Sequence, residues 1–226
     1  MLEGERSSGI SWLEETKPVT IFMEKKEVQF EKTQSGTGYV TKSWTNQTFP
    51  KSWGNIKVEN PNTSTSWGAM YYQYFEDMDK VKTASDNPLK IVKNIYMVKQ
   101  SNKGEVLEEI KPGTRLIAGD KLTVRLRVIS DRSMDYVHLK DWRGSGLEPV
   151  SNLSGYRYAG GISFYENVKD LATHFYIDHL PKGDHIIEYS LRIIHKGEYS
   201  GGLATLQSMY APEFSSHSSG IKLEVR

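Results

Sequence analysis

Period-two alternation of apolar and polar residues, broken by turn signals, constrains this chain more than any other feature. In residues 121–129, Leu122, Val124, Leu126 and Val128 fall on one side, and Thr123, Arg125 and Arg127 on the other. Ile187, Tyr189, Leu191 and Ile193 repeat the pattern, as do Phe175 with Ile177, and Ile221, Leu223 with Val225. Successive side chains of a strand point to opposite faces, so each such run can hide one face and wet the other. Helical periodicity is nearly absent. Pro112-Gly113, Gly119-Asp120, Lys182-Gly183-Asp184 and Gly201-Gly202 punctuate the runs as turns. Short strands at this spacing predict an all-β chain built as an antiparallel β-sandwich.

The chain has 226 residues, room for one large domain or two small ones. Residues 83–88 (TASDNP) are small, polar and end in proline, and read as a linker. That places a first block at 1–82 and a second at 89–226. In the first block, residues 19–23 and 27–30 predict a hairpin with Lys25-Lys26 at its turn. Residues 38–44 and 56–59 predict further strands. Residues 67–75 (WGAMYYQYF) are apolar at both parities and predict a central strand with Trp67 buried.

Charge and cysteine content exclude several functions. The formal net charge is +1 with no Lys/Arg run, which gives no electrostatic case for nucleic acid or an anionic membrane. The chain has no cysteine, hence no disulfide, thiolate metal site or cysteine nucleophile. No apolar run approaches the roughly 20 residues that span a bilayer. The opening MLEGERSSGISWLEE has no hydrophobic segment of a signal peptide, so export would need a longer precursor.

Catalytic patterns are equally thin. The six histidines, His138, His174, His179, His185, His195 and His217, contain no His-x-His pair, and no metal or other cofactor is expected. Asp141, Glu148, Asp178 and Glu213 show no pairing of the kind glycoside hydrolysis needs. Ser154 and Ser163 lack a nucleophile-elbow context. Gly155, Gly160 and Gly161 follow no strand-to-helix pattern that would cradle phosphate.

Residues 136–150 (YVHLKDWRGSGLEPV), then SGYRY, FYIDHLPKGDHIIEYSLRIIHKGEYSGG and QSMYAPEFSSHSSG, resemble the carboxy-terminal macroglobulin-like domain of bacterial alpha-2-macroglobulins, as found in large cell-envelope proteins of Bacteroidetes type. GTGYVTKSW and SWGAMYYQYFEDMDKV resemble the preceding block of that family, the returning half of a CUB-like sandwich. The resemblance runs from about residue 36 to 226; residues 1–18 match poorly and carry no assigned role.

The resemblance implies a partial CUB-like block followed by a macroglobulin-like, fibronectin-like sandwich without chemistry of its own. Partners would be the thioester domain and other macroglobulin-like domains of a parent chain, with proteases met through the intact parent, and no nucleic acid or small-molecule substrate. The place would be the cell envelope, periplasmic or outer-membrane associated. The family's CxEQ thioester motif cannot lie in a chain without cysteine. In thioester proteins of this family, aromatics of the terminal domain cover the thioester, and Tyr210 or Tyr156 are candidates for that lid. A tyrosine tied into the sandwich by its own hydroxyl is the competing reading. Met209 and Glu213 flank Tyr210 on the same candidate surface, which ends at Pro212, a residue that cannot continue a central ladder. Trp142, near a strand end, is a candidate interdomain contact. The alternative function is a free-standing adhesin-like or carbohydrate-binding module using Trp142, Tyr156 and Tyr158; a β-sandwich hydrolase is a third.

Overall fold

A computed structural model describes residues 17–30, 39–45, 48–63, 65–84, 88–102 and 104–226. The chain divides into two compact units, 1–73 and 74–226. Residues 1–16, within the stretch to which no role was assigned, and residues 85–87 of the expected linker fall outside the described residues.

In the first unit β1 (Thr20–Met23) pairs antiparallel with β2 (Lys26–Glu27) and with β3 (Ile56–Glu59). The hairpin turn is Glu24-Lys25, one residue earlier than expected, and both residues have positive φ, 54° and 65°. A two-residue hairpin needs that backbone at both central positions, which fixes the register Met23 opposite Lys26. Trp44, Phe49, Trp53 and Tyr72 form an aromatic cluster with ring centroids 5.4–5.8 Å apart.

Two expected strands of this block are absent. Residues 39–44 have no regular structure, and neither does the apolar run 67–75. Trp67, expected in a core, is 88% exposed. A strand apolar on both faces is stable only between two covering layers. No residue of β1, β2 or β3 is buried, so this sheet offers no such layer.

The second unit is the sandwich. After the irregular residues 81–84 come β4 (Leu89–Ser101), β5 (Gly104–Glu109), β6 (Lys121–Ser130), β7 (Met134–Trp142) and β8 (Leu147–Pro149). Then follow β9 (Gly155–Ala159), β10 (Ile162–Val168), β11 (Ala172–Leu180) and β12 (Gly183–Ile193), and finally β13 (Gly197–Ser200), β14 (Ala204–Ser208), β15 (Ser215–His217) and β16 (Lys222–Val225). One sheet has the order β5-β4-β6-β12-β8, the other β15-β14-β7-β11-β10-β9, and β13 pairs with β16. Pairing within both large sheets is antiparallel throughout. Of the expected linker, Ala84 lies along this unit: its N–H donates to the His217 carbonyl, and its own carbonyl accepts from the Ser216 hydroxyl.

The alternation read from the sequence becomes the core. Leu122, Val124, Leu126 and Val128 of β6 are fully buried, as are Ile187, Leu191 and Ile193 of β12. They join Val137, Leu139, Phe175, Ile177 and Leu206 of the opposite sheet in one cluster. Each such side chain contributes roughly 1.5–3 kcal/mol by leaving water. At the Gly202 corner glycine is obligatory: φ is +80°, and a Cβ would sit 1.8 Å from the Trp142 carbonyl oxygen.

Candidate functional site

Two residues interrupt the apolar alternation of facing strands, and they meet. Lys93 lies on the inward side of β4, between Ile91 and Ile95, and Asp141 on the inward side of β7, after Val137 and Leu139. The Lys93 Nζ donates to Asp141 Oδ1 at 2.6 Å, and to the carbonyls of Trp142 at 3.1 Å and Gly201 at 2.9 Å. The Tyr189 hydroxyl of β12 donates to Asp141 Oδ2 at 2.6 Å. Burial pushes the Asp141 carboxyl up, while the Lys93 ammonium and the Tyr189 hydroxyl pull it back down. Burial, then the charge of Asp141, raises the Tyr189 hydroxyl far above its ordinary value, so it acts as a donor. This triad joins the two sheets and anchors the 201–202 corner that leads into β14. Asp141 is enclosed here, so it cannot share an open cleft with the exposed Asp178 and Glu213.

At the end of β14 the chain leaves the sheet. Residues 209–214 form the loop of the β14–β15 hairpin, closed by Ser208 N–H to the Phe214 carbonyl at 3.0 Å and Phe214 N–H to the Ala211 carbonyl at 2.9 Å. Pro212 sits in the turn, where its missing N–H costs no ladder bond. The loop presents Met209, 55% exposed, and Tyr210, 80% exposed. Tyr210 therefore projects from a loop, and among the described residues its hydroxyl holds no hydrogen bond into the sandwich. Glu213 is exposed on the same loop.

Sequence reasoning missed the third member of this tip. Tyr136 of β7 meets Tyr210 edge to face, centroids 5.3 Å apart and planes at 82°. Its carbonyl accepts the Met209 N–H at 2.9 Å. A tyrosine gives no local sign of such a role, because the signal is backbone geometry.

The other candidates stand elsewhere on the six-stranded sheet. Trp142 is at the far end of β7, six residues from Tyr136 and so about 20 Å away along the strand. It is half-buried, and the Lys140 Nζ lies 3.5 Å from its ring centroid. That cation occupies a ring face that sugar stacking would need. Tyr156 is on the edge strand β9, four strand spacings from β14, about 19 Å. It is 73% exposed and meets Tyr165 edge to face at 5.1 Å. Tyr158 is exposed on the same strand. The structure thus unites Met209, Tyr210 and Glu213 with Tyr136, and separates them from Trp142 and Tyr156.

On the outer face between these two areas, His138 of β7 and His174 of β11 share one hydrogen bond, Nε2 to Nδ1 at 2.9 Å. Their rings stack with each other and with Tyr176. Burial first, then His174 and Lys140, lowers the His138 imidazole below its ordinary range; burial, Lys140 and Lys169 lower His174. Among the described residues no three His, Asp or Glu side chains converge as a metal site would require.

Comparison with known proteins gives one family match. Residues 89–213 match the bacterial alpha-2-macroglobulin MG10 domain. No curated protein matches. Among solved structures, a mutant of Salmonella alpha-2-macroglobulin is similar with a TM-score of 0.50 and 20% identity, covering 64% of this chain and 10% of that one. Native Escherichia coli alpha-2-macroglobulin spanning domain MG7 to the C-terminus is similar at 0.50 and 17%, covering 63% of this chain and 24% of that one. Trypsin-activated alpha-2-macroglobulin from E. coli gives 0.50 and 17%, with 65% and 11% covered. At these identities the likeness concerns the fold. The chain spans between a tenth and a quarter of the length of these structures.

Proposed function

The chain belongs to the bacterial alpha-2-macroglobulin family through its MG10 domain, and from that premise we propose that it is a non-catalytic part of a protease-trapping inhibitor, packing against and shielding the thioester domain of a longer parent chain. The observation that carries the proposal is the hairpin loop that holds Met209 and Tyr210 away from the core, one thioether and one aromatic ring, both largely exposed. An acyl thioester is lost when water reaches it, so a large apolar cover preserves it. A rigid sandwich fixes such a cover better than a flexible loop on a loose support.

In this reading the parent switches between two packings after a protease cuts it elsewhere. Domains rotate, the cover lifts, and the protease is enclosed or linked to the exposed acyl group. Residues 1–82 are read as part of a CUB-like domain, and the exposed run 67–75 awaits the other half. The parent would be exported to the cell envelope, periplasmic or outer-membrane associated. By itself the chain should inhibit no protease.

The test is made on the parent polypeptide. Tyr210→Ala should accelerate spontaneous thioester loss, read by titrating the thiol released. An unchanged thiol yield over time would sink the shielding role. Stoichiometric inhibition of a trypsin-like or elastase-like protease by the 226-residue chain alone would contradict the division of labour.

A further inference from the structure

Tyr136 has a backbone conformation that its sequence position does not call for. Its φ is +53°, in the left-handed region that side chains other than glycine rarely adopt. Among the described residues the other non-glycine positive φ values belong to Glu24 and Lys25, where a hairpin turn demands them. Tyr136 lies inside a strand. The β7–β11 register runs Ile177 opposite Val137, then His179 opposite Asp135, and passes over the pair between, so the distortion interrupts the ladder at Tyr136 itself. Strain of this kind persists only where its surroundings impose it, and it gathers at contact sites.

What the distortion achieves is visible in its neighbours. It turns the Tyr136 carbonyl onto the Met209 N–H, and it places the ring against Tyr210. Ring and carbonyl thus hold two consecutive residues of the loop from one position. Half of Tyr136 stays exposed, so its ring also extends the surface that Met209 and Tyr210 offer.

We infer that Tyr136 is a positioning residue for Tyr210 and a third contact of the tip, fitting an apolar surface that surrounds a water-sensitive acyl group. The inference rests on the shielding reading above. Tyr210 as a lone ring on an exposed loop would sample several rotamers and leave the cover open part of the time. Propped edge to face, it keeps one orientation.

The experiment compares Tyr136→Gly, Tyr136→Phe and Tyr210→Ala in the parent polypeptide. The readouts are thiol release over time, hydrogen exchange at Met209 and the urea midpoint. Glycine accepts the positive φ, so Tyr136→Gly keeps the fold and its urea midpoint. It should release thiol a few-fold to about tenfold faster, as loss of one aromatic pair would, and should expose the Met209 amide to exchange. Tyr136→Phe keeps the ring and should stay within about twofold of the unsubstituted protein. If Tyr210→Ala accelerates release while Tyr136→Gly changes neither release nor exchange, the role of Tyr136 is refuted and the shield stands. If Tyr210→Ala is silent, the shield falls first, and this inference with it.

Discussion

Lys93→Met removes one charge from a sealed pair and keeps the side chain's length. The ammonium it deletes sits 2.6 Å from Asp141 Oδ1 and also serves the carbonyls of Trp142 and Gly201. Asp141, fully enclosed, is left with the Tyr189 hydroxyl alone. Removing one partner of a buried pair costs about 3–5 kcal/mol. With a urea dependence of about 2 kcal/mol/M, the midpoint of sandwich unfolding should fall by roughly 2 M. The loss should depend on pH in a set direction. Burial already raises the Asp141 carboxyl from its ordinary 3.8, and without Lys93 the main opposing pull is gone. A carboxyl whose folded value is raised favours folding fully below its unfolded value and loses that contribution as pH rises through the folded one. Lys93→Met should therefore recover stability as pH falls to the ordinary 3.8, and lose it as pH rises from there through the raised folded value. Lys93→Met with Asp141→Leu removes both charges and should return to within ~1 kcal/mol of the unsubstituted protein. Urea titrations followed by far-ultraviolet circular dichroism decide the matter. A midpoint shift below about 0.5 M for the single variant, or a double variant as unstable as the single, would refute the reasoning.

Other expectations follow from the same geometry. Gly202→Ala combines a disfavoured φ with a backbone collision at the Trp142 carbonyl, and should cost at least ~2 kcal/mol in the same titration; a shift under half of that would mean the corner can open. His138 and His174 share one hydrogen bond in which one nitrogen must carry the proton and the other must not. Both are held below their ordinary 6.5, so folding stability should decline as pH falls from that value through the lowered folded ones, a slope that His174→Gln should reduce; nuclear magnetic resonance titration of the two rings reads it directly. Amides of the described first-unit strands should exchange faster than those of β6 and β12, because none of the former is buried and the latter form the core; equal protection would contradict this.

The sandwich was legible because its strands repeat one local rule. A run such as Leu122, Val124, Leu126 and Val128 states its own buried face without reference to any partner strand. The first block carries no such rule. Residues 67–75 are apolar at both parities, which predicts burial only if covering layers exist, and β1, β2 and β3 supply none. Lys93 and Asp141 each break an apolar alternation, and that interruption was a readable signal of a buried polar site. Their pairing was not readable, since they lie 48 residues apart on facing sheets. Met209 and Tyr210 could be placed on a loop from Pro212 alone. Tyr136 could not, because a positive φ at tyrosine leaves no trace in sequence when tertiary contacts impose it.

β7 ties these observations into one physical argument. It is central in its sheet, between β14 and β11, so its backbone has little freedom to shift. At one end it bears Asp141, pinned across the core by Lys93; at the other it bears Tyr136, which holds the loop of Met209 and Tyr210. The Lys93 ammonium also grips the Gly201 carbonyl, which fixes the chain where it enters β14, the strand that carries that loop. The tip is thus supported twice, by the Tyr136 ring and carbonyl on the neighbouring β7 and by the fixed corner from which β14 sets out. A conserved volume of apolar side chains could stabilise the sandwich as well, since buried ion pairs seldom exceed hydrophobic packing in net stability. What apolar packing lacks is direction: an ammonium with a carboxylate and carbonyl acceptors around it fixes the register of β4, β7 and the 201–202 corner together. In the shielding role proposed above, a cover that excludes water continuously would need that fixed register more than extra stability.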